Sequence, residues 1–378
     1  MNVNPAGWAS SSLQLVARLF NGGVNSTVLV TAISEAPIGA TNADIALIAK
    51  GNGATLAQVP DGTVTGGNKR GTGATDWQKK RDLATGVASG VDSTIGGGRN
   101  NLASGLVATI AGGNDNDATG QESFVGGGSG NIASAQQSGI CSGNGNTASS
   151  FYSFVGGGQS NTASATNSTV SGGLSNTASG NRAVVSGGFT NNASATAATI
   201  AGGDNNSANG QGSFVSGGYR GTARSIQGYH VFPACNEPIA STSGVTQSAL
   251  LLLGRQTTDA TATVLTSNNS AAATSNQVTL PNNSAYSFSG EVIAGVTGAG
   301  DSARWTIDGA IKRGANAAST AMVGTATVTM THFDAGAATW VVAVTANTTL
   351  GCITVTVTGA AATTIRWVCK INTTEMTY

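Results

Sequence analysis

Few side chains in this sequence of 378 residues could carry out catalysis, and most of them are carboxylates. Cleavage of a glycosidic bond needs two carboxylates flanking that bond, about 5 to 10 Å apart. From Ala285 onwards, the acids before Glu375 are separated along the chain and form no recognisable pair: Glu291, Asp301, Asp308 and Asp334. The only imidazole bases are His230 and His332, so no nucleophile with its base can be assembled. We therefore predict that the chain is not an enzyme.

The cysteines give no sign of a metal site either. The four of them are widely scattered and show no CxxC spacing: Cys141, Cys235, Cys352 and Cys369. Ligand pairs at short spacing are the usual sign of a zinc site. We therefore expect free thiols, no bound metal and no cofactor, with Cys352 and Cys369 the only two that could face one another.

The elements that would position any such residues are dominated by a repeat of fifteen residues. Nine blocks run without a gap from Gly90 to Arg224. One column is always β-branched: Ile95, Ile110, Val125, Ile140, Val155, Val170, Val185, Ile200 and Val215. Glycine (Gly98 to Gly218), asparagine (Asn101 to Asn206) and alanine (Ala103 to Ala223) occupy three further columns. This register predicts a β-solenoid with one block per coil, about 4.8 Å per coil and roughly 43 Å long.

Each column has an expected place in that coil. The Ile and Val side chains are predicted to stack into a buried ladder, which is the structural role we assign to them. Glycine is expected where the chain turns at positive φ or where backbones crowd. Asparagine tolerates the left-handed region and bonds its own backbone in turns, so we expect the asparagine column to lie at a turn.

The residue before each ladder position must point to the opposite face of its strand. This outer column contains Phe124, Phe154 and Phe214. Phenylalanines exposed on a thin rod of low charge would favour aggregation. We therefore predict that these three rings lie between subunits and that the protein is a homotrimer.

Composition narrows the function further. The net charge is zero and charged residues make up only 9% of the chain, which argues against binding to nucleic acid. No long apolar run and no secretory signal are visible, so neither membrane insertion nor secretion is expected. The segment NKRGTGATDWQKKRD holds the only concentrated positive charge, and is either a solvated collar or a docking surface.

Beyond the repeats the pattern changes twice. Residues 225–284 are expected to form a cap and a neck, in which Tyr229 and Phe232 could close the solenoid or contact a glycan. Residues 285–378 alternate apolar and polar side chains and predict an antiparallel β-sandwich or jelly roll. Trp305, Trp340 and Trp367 lie in those strands, where they could stack on sugars or pack in the core.

The blocks of the form GGxxNxASG resemble the head repeats of trimeric autotransporter adhesins and, more closely, the shafts of bacteriophage tail fibres. The lead-in from Ala46 to Gly90 and the stretch FSGEVIAG…RWTIDGAIKRGA…TWVVAVTANTTLGCITVTVTG also resemble phage fibre proteins. Together these parts cover about four fifths of the chain. An autotransporter adhesin would need a secretion signal and a membrane barrel, and neither is recognised, so the phage comparison is favoured.

The resemblance implies an all-β virion protein, assembled in the host cytoplasm and carried on the phage tail. Residues 1–66 would attach to a baseplate or tail protein, 67–89 would form a collar, and 90–224 the trimeric shaft. The C-terminal domain, 285–378, would bind a glycan or protein of the bacterial surface. Two alternatives remain: a fibre attached to the capsid or tail tube, and a polysaccharide-degrading tailspike.

Overall fold

The computed structural model describes residues 55–58, 60–232, 234–235, 242–298 and 300–378. Most of the predicted virion-attachment region, 1–66, lies outside these residues. The described part is all-β, with about 2% helix, and contains a solenoid of about ten turns followed by a C-terminal two-sheet domain. The predicted fold class is therefore confirmed. No helix among the described residues is long and apolar enough to cross a membrane.

The solenoid, here called the shaft, is built from strands of only two residues. In chain order they are β1 (Thr55–Leu56), β2 (Thr75–Asp76), β3 (Thr94–Ile95), β4 (Leu102–Ala103), β5 (Thr109–Ile110), β6 (Asp117–Ala118), β7 (Phe124–Val125), β8 (Ile132–Ala133), β9 (Gly139–Ile140), β10 (Thr147–Ala148), β11 (Phe154–Val155), β12 (Thr162–Ala163), β13 (Thr169–Val170), β14 (Thr177–Ala178), β15 (Val184–Val185), β16 (Asn192–Ala193), β17 (Thr199–Ile200), β18 (Ser207–Ala208), β19 (Phe214–Val215), β20 (Gly218–Tyr219), β21 (His230–Val231) and β22 (Ala234–Cys235).

Each coil places one strand in each of two parallel sheets. The first sheet stacks β1, β2 and the odd strands from β3 to β19, and then β21, while the second stacks the even strands from β4 to β18. Within the repeats, partners are fifteen residues apart, as in Val155 against Val170. The nine Ile and Val residues of the ladder and the nine alanines from Ala103 to Ala223 are fully buried between the sheets.

The asparagine side chains are buried and form hydrogen bonds within and between coils. Asn161 is fully buried and has an ordinary φ, while left-handed φ values fall at neighbours such as Tyr152 and Ser160. Its Nδ2 donates to the Gly157 and Gly173 carbonyls at 2.9 Å each, and its Oδ1 accepts the Asn176 N–H at 2.9 Å. The same pattern repeats from Asn101 to Asn206, so the turn assignment was wrong. The amides form a buried hydrogen-bonded ladder beside the apolar one.

Glycine is required next to this ladder because backbones crowd there. Gly158 has φ +86°, and a Cβ built on it would lie 2.1 Å from the Gly173 carbonyl oxygen of the next coil. A side chain at this position would therefore meet both backbone strain and a steric clash.

Before the first repeat, charged and polar side chains take the place of the apolar ladder inside the shaft. Asp76 occupies a ladder position opposite Ile95 and is buried, with the Arg70 guanidinium 2.7 Å away. Gln78 begins the amide ladder by accepting the Asn101 N–H at 3.0 Å. Arg81 is also buried. Two cations of the segment that was predicted to be a solvated collar, Arg70 and Arg81, therefore pack inside the shaft.

The C-terminal domain, here called the tip, has longer strands: β23 (Thr246–Thr257), β24 (Thr263–Val264), β25 (Val278–Thr279), β26 (Ser284–Val296), β27 (Ser302–Arg313), β28 (Ala321–Met322), β29 (Thr327–Phe333), β30 (Val341–Asn347), β31 (Cys352–Thr358) and β32 (Ile365–Thr377). Two 3-10 turns interrupt them, η1 (Ala317–Ser319) and η2 (Ala335–Ala337). One antiparallel sheet has the order β23–β32–β26–β27–β29, with β28 also paired to β27. In the second sheet, β24, β25 and β30 all pair with β31.

The amide ladder gives the first testable prediction. Asn161→Ala would leave the Gly157 carbonyl and the Asn176 N–H without their partners inside the shaft. The Gly173 carbonyl would keep its second donor, the Gln159 N–H. Each orphaned buried group costs about 1 to 3 kcal/mol. We expect the free energy of unfolding to fall by roughly 3 kcal/mol in denaturant titration. Asn192→Ala is the matched control because Asn192 is exposed on the outer face of β16. Equal effects of the two substitutions would contradict the role of the ladder.

Candidate functional site

The candidate site lies on a sheet that continues from the shaft into the tip. Strand β21 pairs in parallel with β19 and antiparallel with β23, which in turn pairs with β32. One outward-facing row therefore runs across the junction from Phe214 through His230 to Leu250, and then to Asn372 and Ser289. The outer face of the shaft and the outer face of the tip are thus one continuous surface, which we call the outer face.

A buried polar cluster fixes the tip to the shaft. Glu375 accepts hydrogen bonds from Arg224 Nε at 3.0 Å, Gln247 Nε2 at 2.9 Å and Thr373 Oγ1 at 2.8 Å, and also from the Tyr229 hydroxyl. Glu375 is only 2% exposed. Burial, reinforced by the Glu375 carboxylate, raises the pKa of Tyr229 well above its usual value. Tyr229 therefore stays a neutral donor that helps to satisfy this carboxylate.

The structure places the four proposed receptor-contact residues in the interior. Tyr229, Trp305, Trp340 and Trp367 are all buried. The Trp367 ring lies 5.6 Å from that of Trp305 and 5.7 Å from that of Trp340, centroid to centroid. Because the faces of these rings pack inside the tip, they are core residues and cannot stack on a sugar.

The phenylalanines of the outer column lie on the outer face, and each ring packs partly against its own chain. Phe124 is 41% and Phe154 39% exposed, whereas Phe214 is half-buried against His230, with ring centroids 5.6 Å apart. The Phe154 ring approaches the Cα of Gly139 closely enough that a Cβ there would lie 3.3 Å from it. The larger part of each ring is thus covered by its own chain, and an intersubunit role stays a prediction.

A cleft of about 200 Å³ opens on the outer face where the shaft meets the tip. Its wall is formed by Phe232, which follows β21 and is 40% exposed. The remaining lining residues come from β23, β32 and β26: Ser248, Ala249, Ser287, Ser289, Asn372, Thr373 and Thr374. Of the described residues that line this cleft, none is charged. The sequence offered Tyr229 and Phe232 together as a cap or a glycan contact; Tyr229 is buried, whereas the alternation along β21 places Phe232 on the same exposed face as His230.

The fold brings together acids that are distant in sequence. Glu291 pairs with Thr306 and Ser289 with Asp308, so Glu291 and Asp308 are diagonal neighbours on the outer face. Diagonal neighbours on antiparallel strands are about 7 to 8 Å apart. Arg304 Nη2 lies 2.7 Å from Glu291 Oε1 and lowers the pKa of that carboxyl. Asp334 accepts the Ser302 N–H at 2.9 Å, which places it beside Asp301.

Three cysteines, Cys141, Cys352 and Cys369, are free thiols. Cys352 and Cys369 lie in different sheets and form no disulfide, while Cys141 is exposed. Burial raises the pKa of Cys352 to about 11 and that of Cys369 to about 12. Within the described ranges, no group of three or more His, Cys, Asp or Glu side chains is placed to hold a metal ion.

No protein-family profile matches this sequence, and no curated protein is similar to it. Solved structures of phage tailspikes do show a likeness. One is the tailspike protein of Acinetobacter baumannii bacteriophage Fri1, a capsular polysaccharide depolymerase, with 8% identity over 80% of this chain and 69% of that one and a TM-score of 0.21. Another is the tailspike of Acinetobacter phage vB_ApiP_P1, with 8% identity over 86% and 80% of the two chains and a TM-score of 0.18.

These similarities correct one prediction. The first of the two proteins is an enzyme, so the prediction from the sequence that this chain is not an enzyme is withdrawn. At 8% identity and TM-scores of 0.21 and 0.18, neither the fold nor any residue role is transferred from either protein.

The junction cluster gives the second prediction. Glu375→Ala removes the acceptor shared by Arg224, Gln247 and Tyr229, and breaking a buried ion pair costs about 3 to 5 kcal/mol. We expect the tip of this variant to unfold at a markedly lower denaturant concentration than the tip of the parent protein. Tryptophan fluorescence monitors the unfolding. Glu291→Ala is the control, since an exposed pair contributes at most about 1 kcal/mol. If both variants unfold like the parent, the cluster does not hold the junction.

The thiols give the third prediction. At pH 8 a thiol whose pKa is raised to about 11 or about 12 stays protonated, and the protonated form does not react with iodoacetamide. Peptide mapping after brief labelling of the folded protein should find Cys141 modified and Cys352 and Cys369 unmodified. Labelling of all three at similar rates would contradict the buried positions. Unfolding in denaturant before labelling is the positive control.

Proposed function

We propose that this chain is a structural protein of a bacteriophage tail, a homotrimeric fibre that attaches the virion to the bacterial surface through its tip. In this proposal the segment before the shaft joins a baseplate or tail protein, with the capsid or tail tube as the alternative attachment point. The partner of the tip is a glycan or a protein of the bacterial surface. Three tips on one fibre would bind multivalently, so weak single contacts would give firm attachment.

One observation carries this proposal: the sheet of the shaft continues by strand pairing into the tip. Adjoining coils share main-chain hydrogen bonds along the whole shaft, and β21 transfers that pairing to β23. The junction is further held by the buried Glu375 cluster. Such a molecule is a stiff spacer that holds a β-sandwich at a fixed distance from its other end, which is the mechanical requirement of an attachment fibre.

The proposed contact between copies is the shaft part of the outer face, around Phe124 and Phe154. These rings are about two-fifths exposed, and the residues two positions after each outer-column residue are small: Gly96, Ala111, Gly126, Cys141, Gly156, Ser171, Ser186, Ala201 and Ser216. Small side chains allow a second sheet to approach closely around the rings.

The oligomer gives the fourth prediction. Phe124→Asp puts a charge in the proposed contact, and we expect the mass measured by light scattering to fall from three chains to one. Phe189→Asp is the matched control, because Phe189 is 43% exposed but lies in the row of parallel β-bridges between the two sheets, away from the outer column. Circular dichroism checks that both variants keep the solenoid. A trimer that survives Phe124→Asp would exclude this contact.

Attachment is tested with the full chain, labelled and mixed with a panel of encapsulated bacterial strains. Saturable binding to some strains is expected. An antibody fragment directed at the tip should block it, and one directed at the shaft should not. Blocking by the shaft fragment alone would contradict a tip-mediated contact.

A second candidate function is cleavage of a surface polysaccharide, which the diagonal placement of Glu291 and Asp308 favours. Diagonal neighbours of this kind are about 7 to 8 Å apart, so two carboxylates on one face could flank a glycosidic bond. Glu291, which Arg304 keeps ionised, would be the base or nucleophile, and Asp308 the proton donor. Release of reducing ends from purified capsule, lost in both Glu291→Gln and Asp308→Asn, is the expected result for this activity. Capsule that the protein leaves uncut, or cuts equally well in both variants, excludes this pair.

A further inference from the structure

We infer that the cleft beside Phe232 is a binding site for one neutral sugar unit of a bacterial surface polysaccharide. This inference rests on the proposed attachment function and adds to it a place and a chemical class of ligand. The cleft lies at the junction with the shaft, whereas the Trp residues first considered as sugar platforms are buried.

The floor of the cleft is a regular array of hydroxyl and amide groups. Ser248, Thr374 and Ser287 are direct neighbours across β23, β32 and β26. Adjacent strands are about 4.8 Å apart, so this row presents hydroxyls at that spacing. Asn372 and Ser289 are direct neighbours in the next row, which lies two residues further along β32 and β26.

The hydrogen-bonding capacity of this array is unused by the protein. Within the described part of the chain, the side chains of Ser248, Ser287, Ser289, Asn372 and Thr374 have no hydrogen-bond partner. Many polar side chains elsewhere in the tip are bonded, such as Thr279 to the Thr274 carbonyl at 2.8 Å. Hydroxyls both donate and accept, and an amide offers one group of each kind. That combination matches the hydroxyls of a sugar, which also donate and accept.

An aromatic ring stands at one end of the array. The Phe232 N–H donates to the Ser248 carbonyl at 2.8 Å, which anchors the residue against β23. Its ring is 40% exposed and borders the cleft. The negative face of an aromatic ring attracts the C–H-rich face of a sugar ring. Apolar contact at one end and hydroxyl partners beside it would orient a sugar within the cleft.

The charge and the volume of the cleft restrict the ligand further. No charged side chain lines the cleft among the described residues, so neither a carboxylate nor an ammonium group would find an ion-pair partner there. The volume of about 200 Å³ is below the range of about 300 to 1,000 Å³ typical of drug-sized ligands. A single neutral sugar ring fits these limits, and weak binding per site would be raised by three copies.

The site must stay open in the assembled fibre. It lies on the same outer face as Phe124 and Phe154, but several strand spacings further along, beyond Phe214 and His230. The inference therefore requires that copies touch along the shaft and leave this part of the tip accessible.

The test uses the full chain and saturation-transfer difference NMR with glucose, galactose, rhamnose and N-acetylglucosamine, and with glucuronic acid as the acidic probe. At least one neutral sugar should give a saturable signal, and glucuronic acid should give a weaker one. Phe232→Ala should raise the dissociation constant about tenfold. Phe333→Ala is the matched control, because Phe333 is 54% exposed in the same domain but lies in β29.

Three outcomes would overturn the inference. One is that no neutral sugar binds; another is that Phe232→Ala and Phe333→Ala behave alike. The third concerns a cysteine introduced by Ser287→Cys in a chain that also carries Cys141→Ser. If it reacts with a maleimide far more slowly in the assembled protein than in unfolded chains, another copy covers the cleft. Binding of the full chain to bacteria separates the two proposals. If the Phe232→Ala variant still binds to bacteria, the cleft is not the receptor site, but attachment through the tip stands. If the parent chain binds to no strain, the proposed function itself fails.

Discussion

The buried amide ladder is the interaction on which the rest of the structure depends. A coil of fifteen residues encloses one Ile or Val and only one or two Ala, too little apolar volume to fix the turns by itself. Each ladder amide donates to one carbonyl of its own coil and accepts one backbone N–H of the next, so it satisfies backbone groups that would otherwise be buried without partners. The short side chain and its position beside an invariant glycine let this happen inside a very narrow rod.

A ladder of this kind has open ends, and each end is closed by different chemistry. At the start, Gln78 continues the amide pattern, and the charged pair of Arg70 and Asp76 replaces the apolar one. At the other end, Gly221 donates its N–H to the last amide and Val231 covers the last ladder valine. The exposed strand edge there pairs with β23. Because an open edge is a site of aggregation, this pairing both protects the shaft and orients the tip.

The outer face of the tip follows from the two-residue period of its strands. On β32, Trp367, Cys369 and Ile371 point inward, so Val368, Lys370 and Asn372 point outward. The same alternation in and around β21 buries Tyr229 and exposes His230 and Phe232. Among the described residues, those that line the cleft beside Phe232 are uncharged and rich in hydroxyl groups, and they lie on a sheet that is paired to the shaft.

The sequence by itself determined the solenoid, its fifteen-residue coil, the ladder and the two-sheet tip, because strict periodicity in a local pattern allows one stacked solution. It did not reveal the role of asparagine, since a turn and a buried amide ladder require the same residue at the same period. It could not place Glu375 beside Arg224 and Tyr229, or Glu291 beside Asp308, because strand register joins residues that are far apart in the chain. Only the tertiary structure decided which aromatic rings face solvent, because the parity of each strand relative to the core depends on which strands it pairs with.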